Sequence, residues 1–388
     1  MNRLIAAQGS YDLARFPADP RDTLRAWDAS DEYLLRQLDG SAALDGTPAP
    51  PVDLSGEVVV LGDRWGALAT ALAGHRPVQI SDSYLAQQAT RANLARNGIE
   101  AEAVRQLSSQ DEPPARIDVL LVRVPKSLAL LEDQLHRLAP GVHADTVVIG
   151  TGMTTEIHTS TLKLFERIIG PTRTSLAVRK ARLIHCTPDP ALKPTPSPWP
   201  HSYDLPADTA AGLTVTNHAG VFSAERLDIG TRLLLQHLPQ LSGPARIVDL
   251  GCGNGVVGTA AAALSPEAEI TFADESHQAT ASARATFAAN ADPAAKARFL
   301  LGDGLSDLPP DSVDLVLNNP PFHSHQATTD AIARRMFADA RTALRPGGEL
   351  RVVGNRHLGY HVTLRRLFGN CSTVASNPKF VVLSAVKK

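Results

Sequence analysis

Two stretches of this chain follow one plan. "EVVVLGDRWGALATALA", from Glu57, and "RIVDLGCGNGVVGTAAAAL", from Arg246, each read as an apolar strand, a glycine-containing turn and an alanine-rich helix. A second strand and helix follow in both halves: "PVQISDSYLAQQATRANLARNG" in the first, "EITFADES" and "HQATASARATFAAN" in the second. "IDVLLVRVPKS" and "VDLVLNNPPFH" then stand at matching places. Gly62 to Asp82 is 20 residues and Gly251 to Asp274 is 23; Gly62 to Arg123 is 61 and Gly251 to Asn319 is 68. Strands that alternate with helices imply a parallel sheet covered on both faces. The chain is therefore expected to hold two tandem Rossmann-like α/β domains, related by duplication. The segment Cys186–Pro206 carries seven prolines, which stop helices and central strands and make a stiff connector. The expected organisation is a first domain over 1–190, a Pro-rich linker over 191–209 and a second domain over 210–388.

Bulk composition excludes more than it selects. Lys+Arg is 38 and Asp+Glu is 40, so there is no global basic signal for a nucleic-acid partner. The charge is uneven, however. Arg334–Lys388 holds eleven Lys/Arg against two acidic residues, and Arg173, Arg179, Lys180 and Arg182 cluster mid-chain. Each cluster alone reads as a solvated face; two of them suit an anionic partner. The three cysteines are far apart and lack metal-ligand or disulfide spacing, which fits a reducing compartment. No apolar run matches a signal peptide or a membrane span. A cytoplasmic location is expected.

The turn "VDLGCGNGVVG" places Gly251, Gly253 and Gly255 between a strand and a helix. Glycines there allow positive φ and aim helix N-terminal amides at a ligand. Such a turn alone also suits dinucleotides. Three acids tilt the choice. Asp249, before the turn, can accept from loop amides or a ligand ammonium. Asp274 ends the second strand, where a carboxylate can take two ribose hydroxyls. Asp303, in "LLGDGL", can accept from an adenine amine. Together they describe S-adenosylmethionine (SAM) better than a pyrophosphate. The first half lacks this set: Arg64 and Trp65 stand where glycines would leave space, and the indole is expected to block a cofactor. One site is therefore expected, in the second half, with the first domain a degenerate copy of a class I SAM methyltransferase domain.

The strand "VDLVLNNPPFH" ends in Asn319, Pro320, Pro321 and Phe322. The exocyclic amine of a nucleobase is a poor nucleophile because its lone pair is delocalised into the ring. Accepting hydrogen bonds from both amino hydrogens turns that lone pair toward a methyl donor. The Asn319 side-chain oxygen is one acceptor and the Pro320 carbonyl the other, held rigid by proline. Phe322 offers a face for an unstacked base. Positioning and acceptor electrostatics then supply the rate, with no strong general base. His323 reads either as a base or phosphate contact or as a residue that starts the next helix.

"DLGCGNG" followed by "NNPPFH" resembles the SAM-dependent amino methyltransferases with an N-P-P-aromatic motif. The wider text resembles one family, the ribosomal RNA large subunit methyltransferase G family. "PRDTLRAWDASDEYLL", "VPKSLALLEDQL", "IHTSTLKLFERIIGPT", "VFSAERLDIGTRLLLQHLP" and "NRHLGYHVTLRRLFGNCSTVASNPKFVVL" carry that likeness over nearly the whole chain. It implies SAM as donor and N2-methylation of a guanine in 23S rRNA. It also assigns Gly251, Gly253, Gly255 and Asp274 to the cofactor and Asn319, Pro320, Pro321 and Phe322 to catalysis; His323 matches as well. The linker is richer in proline than the family leads one to expect. A sister family modifies a guanine of 16S rRNA with the same two-domain plan. Adenine-N6 or glutamine-amide methylation would use the same acceptors, and a non-catalytic RNA-binding assembly factor is the alternative outside enzymes. The degenerate first domain, with Arg173, Arg179, Lys180 and Arg182, is expected to grip the RNA.

Overall fold

The computed structural model describes residues 3–19, 22–41, 43, 44, 47, 48, 50–206, 212–321 and 326–388. Contacts divide the chain into two compact units, Met1–Pro198 and Trp199–Lys388. The second unit starts eleven residues ahead of the expected 210. The reason is local: His201–Asp204, in the proline-rich segment, pairs antiparallel with Thr214–Asn217 and so belongs to that unit.

The N-terminal unit is built on β1 (Val58–Leu61), β2 (Val78–Ser81), β3 (Arg105–Ser108), β4 (Ile117–Arg123), β5 (Val142–Met153), β6 (Thr172–Thr174) and β7 (Ala181–Cys186). Its main helices are α1 (Ala29–Leu38), α2 (Ala67–Ala71), α3 (Tyr84–Arg96), α4 (Leu128–Leu138) and α5 (Thr159–Ile168). The C-terminal unit has β8 (Arg246–Leu250), β9 (Glu269–Asp274), β10 (Lys296–Leu301), β11 (Val313–Asn318), β12 (Leu344–Asn355), β13 (Ser372–Ser376) and β14 (Phe380–Val386). Its helices are α6 (Ile229–Leu235), α7 (Val256–Leu264), α8 (His277–Asn290), α9 (Gln326–Ala343) and α10 (Tyr360–Phe368).

The sheet orders are β3-β2-β1-β4-β5-β7-β6 and β10-β9-β8-β11-β12-β14-β13. Counted from its own first strand, each reads 3-2-1-4-5-7-6. In both, the first five strands are parallel, and the seventh lies between the fifth and the sixth, antiparallel to each. The shared order bears out the expected pair of Rossmann-like α/β domains. The two units share both the order and the antiparallel seventh strand, which is what a duplication predicts.

Both faces of each sheet are covered, as parallel sheets require. Val58 and Val60 of β1 face one core cluster while Val59 and Leu61 face another. In β8, Ile247 and Val248 divide in the same way. Strand order reverses between the first and fourth strands, and ligands of open α/β sheets bind at the carboxyl ends of strands beside such a switch point. Those ends carry "LGDRWG" and "VRVP" in one unit, "LGCGNG" and "NNPP" in the other. No helix among the described residues is long and apolar enough to cross a membrane.

Candidate active site

The glycine turn behaves as its composition demands. Gly251, Gly253 and Gly255 have φ of 69°, 53° and 75°, in the left-handed region. Gly255 is also the point of closest packing: an added Cβ would lie 2.6 Å from the Ala283 Cα of α8. Gly253 is different, because its nearest heavy atom would be 4.0 Å away, on Val221. The turn thus leaves an opening at its middle glycine.

The acids sit at the three strand ends but differ in what they can still do. Asp274 ties the turn to β9: its Oδ2 accepts from the Gly253 amide at 3.0 Å and its Oδ1 from the Ser276 amide at 3.0 Å. Asp249 is buried and its Oδ2 accepts from the Gly258 amide at 2.8 Å. Burial raises its carboxyl to about 7 against the pull of that amide. Its partner lies in the first turn of α7, not in the glycine loop, so Asp249 anchors the helix under the loop. Asp303 is engaged by Arg335 of α9, with Nη2 2.5 Å from Oδ1 and Nη1 donating to Oδ2 at 3.4 Å. Burial raises the Asp303 carboxyl, and Arg335 opposes that. The expected acceptor for an adenine amine is therefore already shared with a guanidinium.

The asparagine pair closes the site. Asn318, the last residue of β11, is fully buried, and its Nδ2 donates to the Leu250 carbonyl at 2.7 Å just ahead of Gly251. Asn319 donates from Nδ2 to Thr231 Oγ1 at 2.8 Å. The Oδ1 atoms of both asparagines are buried and have no hydrogen-bond partner among the described residues. A buried carbonyl oxygen without a donor costs free energy, about 1–3 kcal/mol, and is expected where a ligand supplies the donor. Pro320 is buried and Pro321 exposed. Phe322 and His323 lie outside the described residues. Asn318, Thr231 and Arg335 were not legible from the sequence: Thr231 is 88 residues from Asn319 and Arg335 is 32 from Asp303, separations that no local pattern spans.

The N-terminal unit shows what became of the same place. Leu61 pairs with Val122 as Leu250 pairs with Asn318, so Arg123 stands where Asn319 stands. Arg123 is 1% exposed, with Nη2 2.7 Å from Asp28, Nη1 2.8 Å from Glu156 and Nε 3.6 Å from Asp31. Arg64, at the place of Gly253, reaches Glu156 at 2.6 Å and Asp28 at 3.6 Å. Burial pushes the Glu156 carboxyl up, but the two arginines overcome it and hold it at about 2. Asp63, inside the loop, accepts from the Gly66, Ala67 and Ala69 amides, serving α2 as Asp249 serves α7. The expected block by Trp65 needs correction. Its ring packs against the core cluster beside α1, under Arg15, whose guanidinium lies 5.3 Å from the ring centre. Ion pairs rather than an indole occupy the site. Arg123→Met would strand carboxylates that are buried or half-buried, which typically costs about 3–5 kcal/mol. Urea unfolding at neutral pH should show a loss of that order in this unit, and an unchanged midpoint would contradict the assignment.

The mid-chain basic cluster does not form one patch. Arg173 pairs with His185, which places it on the face of β7 that carries Leu183, whereas Arg182 points with Ile184 to the other face. Arg179 and Lys180 form the tight turn before β7, with φ of 48° and 64°. Of the four, Arg179 lines a groove with Arg3, Arg25 and Arg36.

The comparisons with known proteins follow the same division. The family model "RLMG N-terminal domain" matches residues 1–190 and "Methyltransferase small domain" matches 212–384. A protein of Streptomyces griseus subsp. griseus named ribosomal RNA large subunit methyltransferase G is 72% identical over 390 residues, covering 100% of both chains. The chain belongs to the ribosomal RNA large subunit methyltransferase G family. A member from Aeromonas salmonicida is 46% identical over 386 residues, with 99% of each chain covered. Among solved structures, the T. thermophilus 16S rRNA N2 G1207 methyltransferase, in complex with AdoMet and guanosine, superimposes with a TM-score of 0.76 at 20% identity, covering 100% of this chain and 97% of that one. That likeness shows the shared fold. The family expected from the sequence is thus the family found, and the chain is a methyltransferase with an RNA substrate.

Proposed function

We propose that the C-terminal unit methylates the exocyclic N2 amine of a guanine in 23S rRNA, with SAM as the donor, and that the N-terminal unit holds the RNA. The carrying observation is the buried Oδ1 of Asn319 at the carboxyl end of β11, which has no hydrogen-bond partner among the described residues. The residues present fit SAM: an open glycine at the middle of the turn, beside a carboxylate that already orders the loop. When bound, SAM supplies a sulfonium methyl electrophile. Gly251, Gly253 and Gly255 let the backbone approach it, and Asp274 is placed for its ribose. Asp249 acts through α7, and Asp303 together with Arg335 borders the adenine side. Asn319 Oδ1 and the Pro320 carbonyl accept from the guanine amine and turn its lone pair outward. The sequence assigns base stacking to Phe322 and a base or phosphate contact to His323. Asp249, the carboxyl held near neutrality at this site, is buried against α7 and is not the base; the methylated amine sheds its proton to water. The family name favours an rRNA base over a glutamine amide, and the guanosine bound to the T. thermophilus enzyme of the same fold favours guanine over adenine. Methyl transfer from labelled SAM to protein-free rRNA, with the product nucleoside identified, tests this reading.

The surface that supports RNA binding on the N-terminal unit is a groove of about 410 Å³ lined by Arg3, Arg25, Arg36 and Arg179, with Trp27 and Glu32. Glu32 is met by Arg25 at 3.9 Å, by Arg179 at 2.9 Å and by the Trp27 indole at 3.0 Å. One carboxylate against four guanidiniums leaves the groove positive, which suits phosphates. Exchanging both Arg3 and Arg36 for Gln should weaken rRNA binding. It should also flatten the log affinity–log salt slope by about 1.4, at roughly 0.7 per single-strand phosphate contact. An unchanged slope in a KCl titration would place the RNA elsewhere.

A further inference from the structure

Thr231 touches the group on which the proposed chemistry turns. It is the third residue of α6, 4% exposed. Asp228 caps that helix by accepting from the Gly230 and Thr231 amides at 2.8 and 3.1 Å. Gly230 lets the first turn sit against β14, because a Cβ there would lie 2.9 Å from the Phe380 ring. The backbone that carries Thr231 is thus fixed from two sides. Its hydroxyl oxygen accepts from Asn319 Nδ2 at 2.8 Å.

An asparagine side chain presents a donor at one end and an acceptor at the other. The Thr231 hydroxyl can donate as well as accept; here it accepts from Nδ2, so the free end is the Oδ1 acceptor, the end that a substrate amine requires. The flipped amide would offer an N–H to the N–H of the amine and repel it. We infer that Thr231 is a positioning residue: it sets the amide of Asn319 so that its carbonyl oxygen, not its NH2, faces the acceptor nucleobase. This rests on the reading of Asn319 as the substrate acceptor.

The N-terminal unit carries an independent sign that these two positions are coupled. α1 packs on β5 and β7 as α6 packs on β12 and β14, and Asp28 caps α1 as Asp228 caps α6. The third residue of α1 is Asp31, and it faces Arg123. Where Asn319 is replaced by a guanidinium, Thr231 is replaced by a carboxylate. The pair keeps donor and acceptor matched in both units, although only one unit keeps the site.

A structural contact and a positioning contact predict different kinetics. Thr231→Val keeps the shape and removes the acceptor. In the full-length chain it should lower kcat for rRNA methylation by about 10-fold to 10²-fold, the scale of a misplaced reacting group. The Kd for SAM and the KM for rRNA should stay within about twofold on the same grounds, because neither depends on the amide's orientation. Thr231→Ser, which keeps the oxygen, should recover kcat to within about threefold. Thr231→Ala, measured alongside, covers the case in which valine prevents folding. In an Asn319→Ala background, Thr231→Val should change kcat little, since no amide remains to orient. Wild-type kcat for both Thr231→Val and Thr231→Ala overturns the inference. So does an equal loss from Thr231→Val with and without Asn319. Wild-type turnover of Asn319→Ala alone overturns instead the proposed function on which it rests.

Discussion

Asn319→Ala is expected to cut methyl transfer to rRNA by about 10²–10³, the typical loss for one preorganised electrostatic partner. The Kd for SAM should remain nearly unchanged. The split follows from where the side chain is held. Asn319 is anchored to α6 through Thr231, while the glycine turn is ordered by Asp274 and Asp249. Removing the amide leaves the turn intact and takes away the acceptor that directs the amine's lone pair. Single-turnover kinetics with saturating SAM, together with calorimetry, separate the two quantities. Near-wild-type turnover would remove Asn319 from the mechanism; lost SAM affinity would move it from the substrate to the cofactor.

Gly253→Arg should abolish SAM binding, by about 100-fold or more if the opening over the turn is where the cofactor enters. Two effects combine. A non-glycine residue at φ 53° is strained, by about 1–2 kcal/mol. The larger effect is occupation: space whose nearest atom beyond the chain neighbours, on Val221, lies 4.0 Å from the would-be Cβ receives a guanidinium next to Asp274. The N-terminal unit already has this arrangement, with Arg64 at the matching position bound to Glu156 and Asp28. Thermal unfolding should show only a modest shift in the C-terminal unit, while calorimetry loses the binding heat. Micromolar SAM affinity in the variant would mean that the turn does not hold the cofactor.

The parts of this site that were legible in the sequence are those set by local chemistry. Glycines at positive φ and a strand stopped by Asn-Asn-Pro-Pro need no tertiary knowledge, and both turned up at the switch point of the sheet. The match of Arg123 to Asn319 by interval alone was later fixed by register. What stayed hidden was contact across the fold. Thr231 reads as an ordinary helix residue until α6 brings it to Asn319, and Arg335 reads as one of many basic residues until α9 lays it on Asp303. In the N-terminal turn, charge rather than bulk fills the site. Trp65 found a core to join, and the arginines closed the site through carboxylates far away in sequence. The mid-chain basic cluster is split for a simpler reason: neighbours in a strand point to opposite faces, so Arg173 and Arg182 do not converge.

The measurement that bears most directly on the central claim is nucleoside analysis of protein-free rRNA after incubation with this chain and methyl-labelled SAM. Label is expected in N2-methylguanine from 23S rRNA, at a single position, and its incorporation is expected to be about 10²–10³-fold slower with Asn319→Ala. Label in a methylated adenine, in 16S rRNA alone or in protein, or undiminished label with Asn319→Ala, would contradict the claim.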